Sequence, residues 1–199
     1  MIEEIEPHPE LIEYFNITHN FKSDLTVDIF TNAGENYNIL SDINQNIFLL
    51  KRLNELDLLK EENHIIDCGI GLGNILFDIY LQSKEIDRKF LFTGVDKQSV
   101  YINFILDNLS HLWKDSIALK NDDIMNLNYS PYSIIYSYSP FNNRVQLNLM
   151  YQKIISEIDS GSIIVEHANK GLGHFNLLEE FNQLEKIDLG QLYVFRKLK

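Results

Sequence analysis

The sequence predicts an α/β fold: a doubly wound, mostly parallel seven-stranded sheet with an antiparallel last strand, helices on both faces and a helical N-terminal segment. Three observations carry this expectation. From residue 64 onward, short apolar runs alternate with longer apolar-periodic stretches, the pattern of parallel strands buried between helices. The first run, His64-Ile65-Ile66-Asp67-Cys68, passes through Gly69-Ile70-Gly71-Leu72-Gly73 into such a stretch, which reads as strand, tight turn and helix start. Near the end, two apolar runs meet at Gly190, as an antiparallel pair would.

The elements follow in order. Residues 1–56 read as mainly helical: Pro7 and Pro9 precede Leu11-Ile12-Glu13-Tyr14-Phe15, and a second helix, Ile43 to Leu56, carries Ile43, Ile47, Leu50 and Leu53 at helical spacing. Between them the polar stretch Thr31–Asn38 reads as loop. Strands are expected at His64–Cys68, Phe90–Val95, Ile117–Leu119, Ser133–Tyr138 and Ser162–Glu166. Helices are expected at Asn74–Gln82, Ser99–Leu112, Arg144–Ile158 and Phe175–Phe181, and the closing strands near Gln183–Leu189 and Gln191–Leu198. Residues 1–58 are thus expected to form a helical cap or substrate segment, and 59–199 the sheet domain, with its ligand site beyond the C-terminal strand ends.

Composition narrows the function. A chain of 199 residues with 45% hydrophobic content can bury a full core, which excludes wholesale disorder. Seventeen basic against twenty-nine acidic side chains give a net charge of −12, which disfavours nucleic acid and suits a basic protein or a small molecule. No apolar run approaches the roughly 20 residues of a membrane span, and Met1-Ile2-Glu3-Glu4 is not a basic signal-peptide start, so the cytoplasm is expected. The single cysteine, Cys68, excludes an internal disulfide or a cysteine-cluster metal site and reads as a small buried filler. His167 and His174 flank Gly171-Leu172-Gly173 after the fifth strand, without an acidic partner at ligand spacing, and no metal site is expected.

The glycine loop discriminates among ligands. A dinucleotide fingerprint needs glycine or alanine at the sixth position, where counting from Gly69 gives Asn74 and from Gly71 gives Leu76; no Gly-Lys-Ser/Thr follows to make a phosphate loop. The acid before the first glycine, Asp67, would repel a pyrophosphate but suits a ligand carrying an ammonium and a sulfonium. Here the chain resembles the class I S-adenosylmethionine-dependent methyltransferases, over residues 64 to 198. Asp67-Cys68-Gly69-Ile70-Gly71-Leu72-Gly73 matches their first motif. Thr93-Gly94-Val95-Asp96 ends the second strand where the family's acid accepts both ribose hydroxyls, and Asn121-Asp122-Asp123-Ile124 falls where an aspartate takes the adenine amino group, with Asp122 aligned better than Asp123. The resemblance implies a Rossmann-like domain, S-adenosyl-L-methionine as cofactor, and Asp67, Gly69, Gly71, Gly73, Asp96 and Asp122 around it.

In the resemblance, the fourth strand end, Tyr138-Ser139-Pro140-Phe141, falls at the position that faces the transferred methyl group. Enzymes that methylate base amino groups carry Asp/Asn/Ser-Pro-Pro-aromatic there, which this chain lacks, and no cysteine is placed for cytosine C5 chemistry. The segment is similar to that of the small seven-strand lysine methyltransferases without a SET fold, as is the Tyr37-containing loop ahead of the second helix. That similarity implies Tyr138, Pro140 and Phe141 as acceptor-positioning residues and Tyr37 at the cofactor. Tyr136 is expected to serve as core, while Asn142 and Asn143 could hold substrate or cap the next helix. The preferred reading is methyl transfer to a protein side chain, with lysine as the candidate. A small-molecule N- or O-methyltransferase and a catalytically silent cofactor-binding subunit remain as alternatives.

Overall fold

The computed structural model describes residues 9–24, 49–113, 116–138, 140–141, 143–166, 177–189 and 193–199. Its elements are α1 (Pro9–Asp24), α2 (Leu49–Glu55), β1 (Glu62–Cys68), α3 (Asn74–Ser83), β2 (Lys89–Asp96), α4 (Ser99–Asn108), α5 (Ser110–Trp113), β3 (Ile117–Asn121), β4 (Ile134–Ser137), α6 (Arg144–Glu157), β5 (Ile163–Glu166), β6 (Leu184–Asp188) and β7 (Tyr193–Lys197). They build one sheet of seven strands in the order β3-β2-β1-β4-β5-β7-β6. The first five strands run parallel, and β7 inserts antiparallel to both β5 and β6. The predicted fold class is the observed one. Strand order reverses between β1 and β4, so a crevice opens at the C-terminal ends of those strands, where Cys68 pairs with Val95 on one side and with Ser137 on the other.

Period-two alternation explains why the central strands are apolar throughout. Ile65, Ile134, Ile163 and Val194 enter a core shared with α1 to α5, while their neighbours Ile66, Ile135, Ile164 and Phe195 enter a second core under α6. Tyr136 is fully buried in the first layer, as its strand position suggested. Leu11 and Tyr14 of α1 belong to that same layer.

Two helix expectations are corrected. The predicted Ser99–Leu112 helix breaks into α4 and α5 at Leu109. Asn108 and Ser110 are weak helix formers, and the Asn108 side-chain amide donates back to the Phe104 carbonyl at 3.0 Å, which competes with continued winding. The described part of the predicted Phe175–Phe181 helix is one 3₁₀ turn, Leu178–Glu180, held by burial of Leu177 and Leu178. Of the expected Ile43–Leu56 helix, residues 49–55 are described and helical; the Thr31–Asn38 loop and Gly190 lie outside the described residues. No described helix is long and apolar enough to cross a membrane.

Burial of acids makes this fold pH-sensitive. Asp67, Asp78 and Glu166 are buried, and loss of solvation pushes each carboxyl up to about 7. A folded-state pKa above the unfolded value means the native protein binds the proton more tightly. Stability is then fully retained below about pH 4 and lost as pH rises toward 7, at roughly 1.4 kcal/mol per pH unit for each group. Melting temperature is expected to fall between pH 5.5 and 8. Asp78→Asn, which keeps an amide beside Gln82 Nε2, should flatten that fall in thermal melts and raise stability at pH 8.

Candidate functional site

The crevice floor is the turn between β1 and α3. Gly69, Gly71 and Gly73 all adopt left-handed backbone, with φ of +84°, +53° and +79°. Closeness as well as conformation requires two of them. A Cβ on Gly69 would stand 3.2 Å from Pro140 Cβ, and one on Gly73 would stand 2.5 Å from the Tyr14 hydroxyl. Gly73→Ala is therefore expected to cost about 2–4 kcal/mol, measured by denaturant unfolding, from backbone strain plus displacement of a rigid buried ring.

The turn is stitched to β2. The amides of Gly69 and Ile70 both donate to the Val95 carbonyl at 2.9 Å, and the Gly71 amide donates to Asp96 Oδ2 at 3.0 Å. Asp96 Oδ1 accepts from the Gln98 amide at 2.8 Å, so both carboxylate oxygens are oriented by backbone before any ligand arrives. Gly94 makes this approach possible: a Cβ there would fall 2.1 Å from Ile70 Cδ1. The next strand end is tied in too, because the Asp96 carbonyl accepts from Asn121 Nδ2 at 2.9 Å and the Asp122 amide at 3.2 Å. Asp123 is occupied otherwise. Its carboxylate accepts the Met125 amide at 2.8 Å and caps the following 3₁₀ turn, while Asp122 stays exposed beside the crevice.

Under the turn lies Asp67, only 2% exposed and raised by desolvation first and by the charge of Asp96 second. Asn74, the first residue of α3, is also buried, and its Oδ1 meets no donor among the described residues. No side chain caps α3 at Gly73. A buried carboxyl group and an orphaned carbonyl oxygen beside a turn of three left-handed glycines make an acceptor-rich site, which fits a cationic amino-acid group and not a pyrophosphate.

The fourth strand supplies the opposite wall. Pro140 packs against Gly69, Tyr138 is half-buried against the first core layer, and Phe141 packs on the second. Asn143 caps α6, its Oδ1 accepting the Val145 amide at 2.8 Å. Cys68 is the expected filler: it is fully buried, with Sγ 3.7 Å from the Tyr129 hydroxyl, and burial pushes its thiol up to about 12. Tyr37, Ser139, Asn142, His167 and His174 lie outside the described residues.

The sequence reading missed three residues, Tyr14, Asn74 and Glu166. Glu166 ends β5 in register with Ser137, almost wholly buried, with Oε2 unpartnered among the described residues. The Tyr151 hydroxyl, which donates to Ser137 Oγ at 3.3 Å, sits between them. An apolar strand closing on a glutamate, Ile163-Ile164-Val165-Glu166, was the available signal.

This architecture is that of the class I S-adenosylmethionine-dependent methyltransferases. A Podospora anserina methyltransferase solved with S-adenosylhomocysteine aligns with a TM-score of 0.70 at 12% identity, covering 99% of this chain and 91% of that one. A Listeria monocytogenes protein assigned to the class I methyltransferases aligns at 0.64 and 16%, over 99% of this chain and 72% of its own. An rRNA methylase of Streptococcus thermophilus aligns at 0.53 and 14%, over 81% and 99%. At these identities the shared property is the fold. No protein-family profile and no curated protein sequence matches this chain.

Proposed function

We propose that this protein binds S-adenosylmethionine at the β1–α3 turn and transfers its methyl group to an acceptor at the β4 end. The observation that carries the reading is the anchoring of a three-glycine left-handed turn to Asp96 at the end of β2, beside the switch point of the sheet. Asp67 and Asn74 would take the cationic amino-acid end, Asp96 the ribose hydroxyls and Asp122 the adenine amino group. When bound, the cofactor supplies an electrophilic methyl on a positively charged sulfur. The chain's own part is placement, which such a displacement needs more than acid–base groups. Pro140, packed against Gly69, would set the distance between the acceptor wall and the glycine turn, and Tyr138 and Phe141, which flank Pro140 in sequence, would supply the aromatic surfaces of that wall.

The preferred acceptor is a protein amine, with lysine as the candidate, and residues 1–58 as the segment that closes over it. Lysine must lose its proton first, at a cost of roughly 4–5 kcal/mol at pH 7, and a dry aromatic wall lowers this cost. This choice rests on the Tyr138-to-Phe141 segment and on the net charge of −12. RNA enters as a second acceptor because one solved neighbour is an rRNA methylase. Calorimetry with S-adenosylmethionine tests cofactor binding. Radiolabelled cofactor incubated with proteome, total RNA and metabolite pools tests the rest: label in protein sustains the reading, label in RNA or metabolites replaces the acceptor, and binding without label in any pool points to a silent subunit.

A further inference from the structure

The cofactor turn is held from a direction that the strands do not supply. Tyr14, in the middle of α1, is fully buried, and its hydroxyl donates to the Leu72 carbonyl at 2.6 Å, across 58 residues of chain. Its ring stacks on Phe77 of α3 at 4.3 Å between centroids and meets Trp113 of α5 edge-on at 5.6 Å. The hydroxyl fills the space that any side chain at residue 73 would take. A peptide unit has one carbonyl to place. With the Leu72 oxygen drawn down into the core by Tyr14, the Leu72–Gly73 peptide cannot flip its negative end into the crevice. The Gly73 amide meanwhile donates to Ile70 at 2.8 Å, so both sides of that peptide are fixed. A Lys84–Glu10 contact of 3.0 Å adds a second tie, between α1 and the C-cap of α3.

We infer that Tyr14 is a positioning residue for the cofactor turn, so that docking of α1 and binding of the cofactor favour each other. The inference rests on the cofactor reading given above. By reciprocity, if α1 pre-shapes the turn, a ligand in the turn must hold α1 more firmly by the same factor. Tyr14→Phe keeps the ring stack and deletes only the hydroxyl. In calorimetry with S-adenosylhomocysteine, at a temperature where both proteins are fully folded, this variant is expected to bind about five- to tenfold more weakly. A purely structural tyrosine would lower the melting temperature and leave that constant unmoved. Hydrogen exchange supplies the reciprocal measurement. In the wild type, saturating S-adenosylhomocysteine should slow amide exchange in residues 11–18 several-fold, and in Tyr14→Phe this added protection should shrink. Equal binding by both proteins overturns the inference and leaves the cofactor reading intact. Absence of binding by the wild type overturns both. Should the variant not fold, unchanged exchange in residues 11–18 of the wild type on ligand addition overturns it, and slowed exchange supports it.

Discussion

Asp96→Ala is expected to weaken S-adenosylhomocysteine binding by roughly 100-fold or more, which calorimetry would register as loss of measurable heat. Hydrogen bonds to a charged acceptor contribute about 1.5–3 kcal/mol each, and two ribose hydroxyls would be lost together. The free protein changes as well. Alanine leaves the Gly71 and Gln98 amides without the oxygens that now receive them at 3.0 and 2.8 Å, so the turn loses its tether to β2. Asp96→Asn separates the two contributions. It preserves size and one acceptor oxygen but turns a donor toward one partner, and about tenfold weakening is expected. If Asp96→Ala binds within a few-fold of wild type, the ribose assignment is wrong.

The alternation of strands with helices and the glycine turn were legible because both follow from short-range rules. Short continuous apolar runs rich in β-branched residues mark strands buried on both faces, and glycine at alternate positions marks a turn that comes close to something. What stayed hidden depends on contacts between distant segments. Tyr14 looks like any apolar residue of an amphipathic helix, and nothing local shows that its hydroxyl meets a carbonyl 58 residues away. Gly94 was visible within Thr93-Gly94-Val95-Asp96, but its reason, the Ile70 side chain lying across it, comes from pairing. The break at Leu109 escaped because Ile102, Ile105, Leu109 and Leu112 keep helical spacing straight through it and all four are buried. Local capping chemistry could have distinguished Asp123 from Asp122, since an acid two residues before a donating helix-start amide is an ordinary cap.

Binding should also be proton-linked, and Asp67 is the group responsible. In the free protein its carboxyl sits at about 7, because burial and the neighbouring Asp96 both disfavour its charge. A cation placed beside it reverses that balance and lowers the pKa, so complex formation below pH 7 must expel a proton. Affinity is then expected to rise about tenfold per pH unit up to roughly pH 7 and to flatten above it, where the carboxylate is already ionised. Calorimetry in two buffers of different ionisation enthalpy should show net proton release at pH 6 and much less at pH 8. Asp67→Asn retains the side-chain shape and removes the titration. This variant should bind at least tenfold more weakly at pH 8, with the Asp67-linked proton release gone. The sign makes the test sharp: protein stability is expected to fall over the same pH range in which ligand affinity climbs, because a single buried acid is costly when charged alone and useful when charged beside a cation.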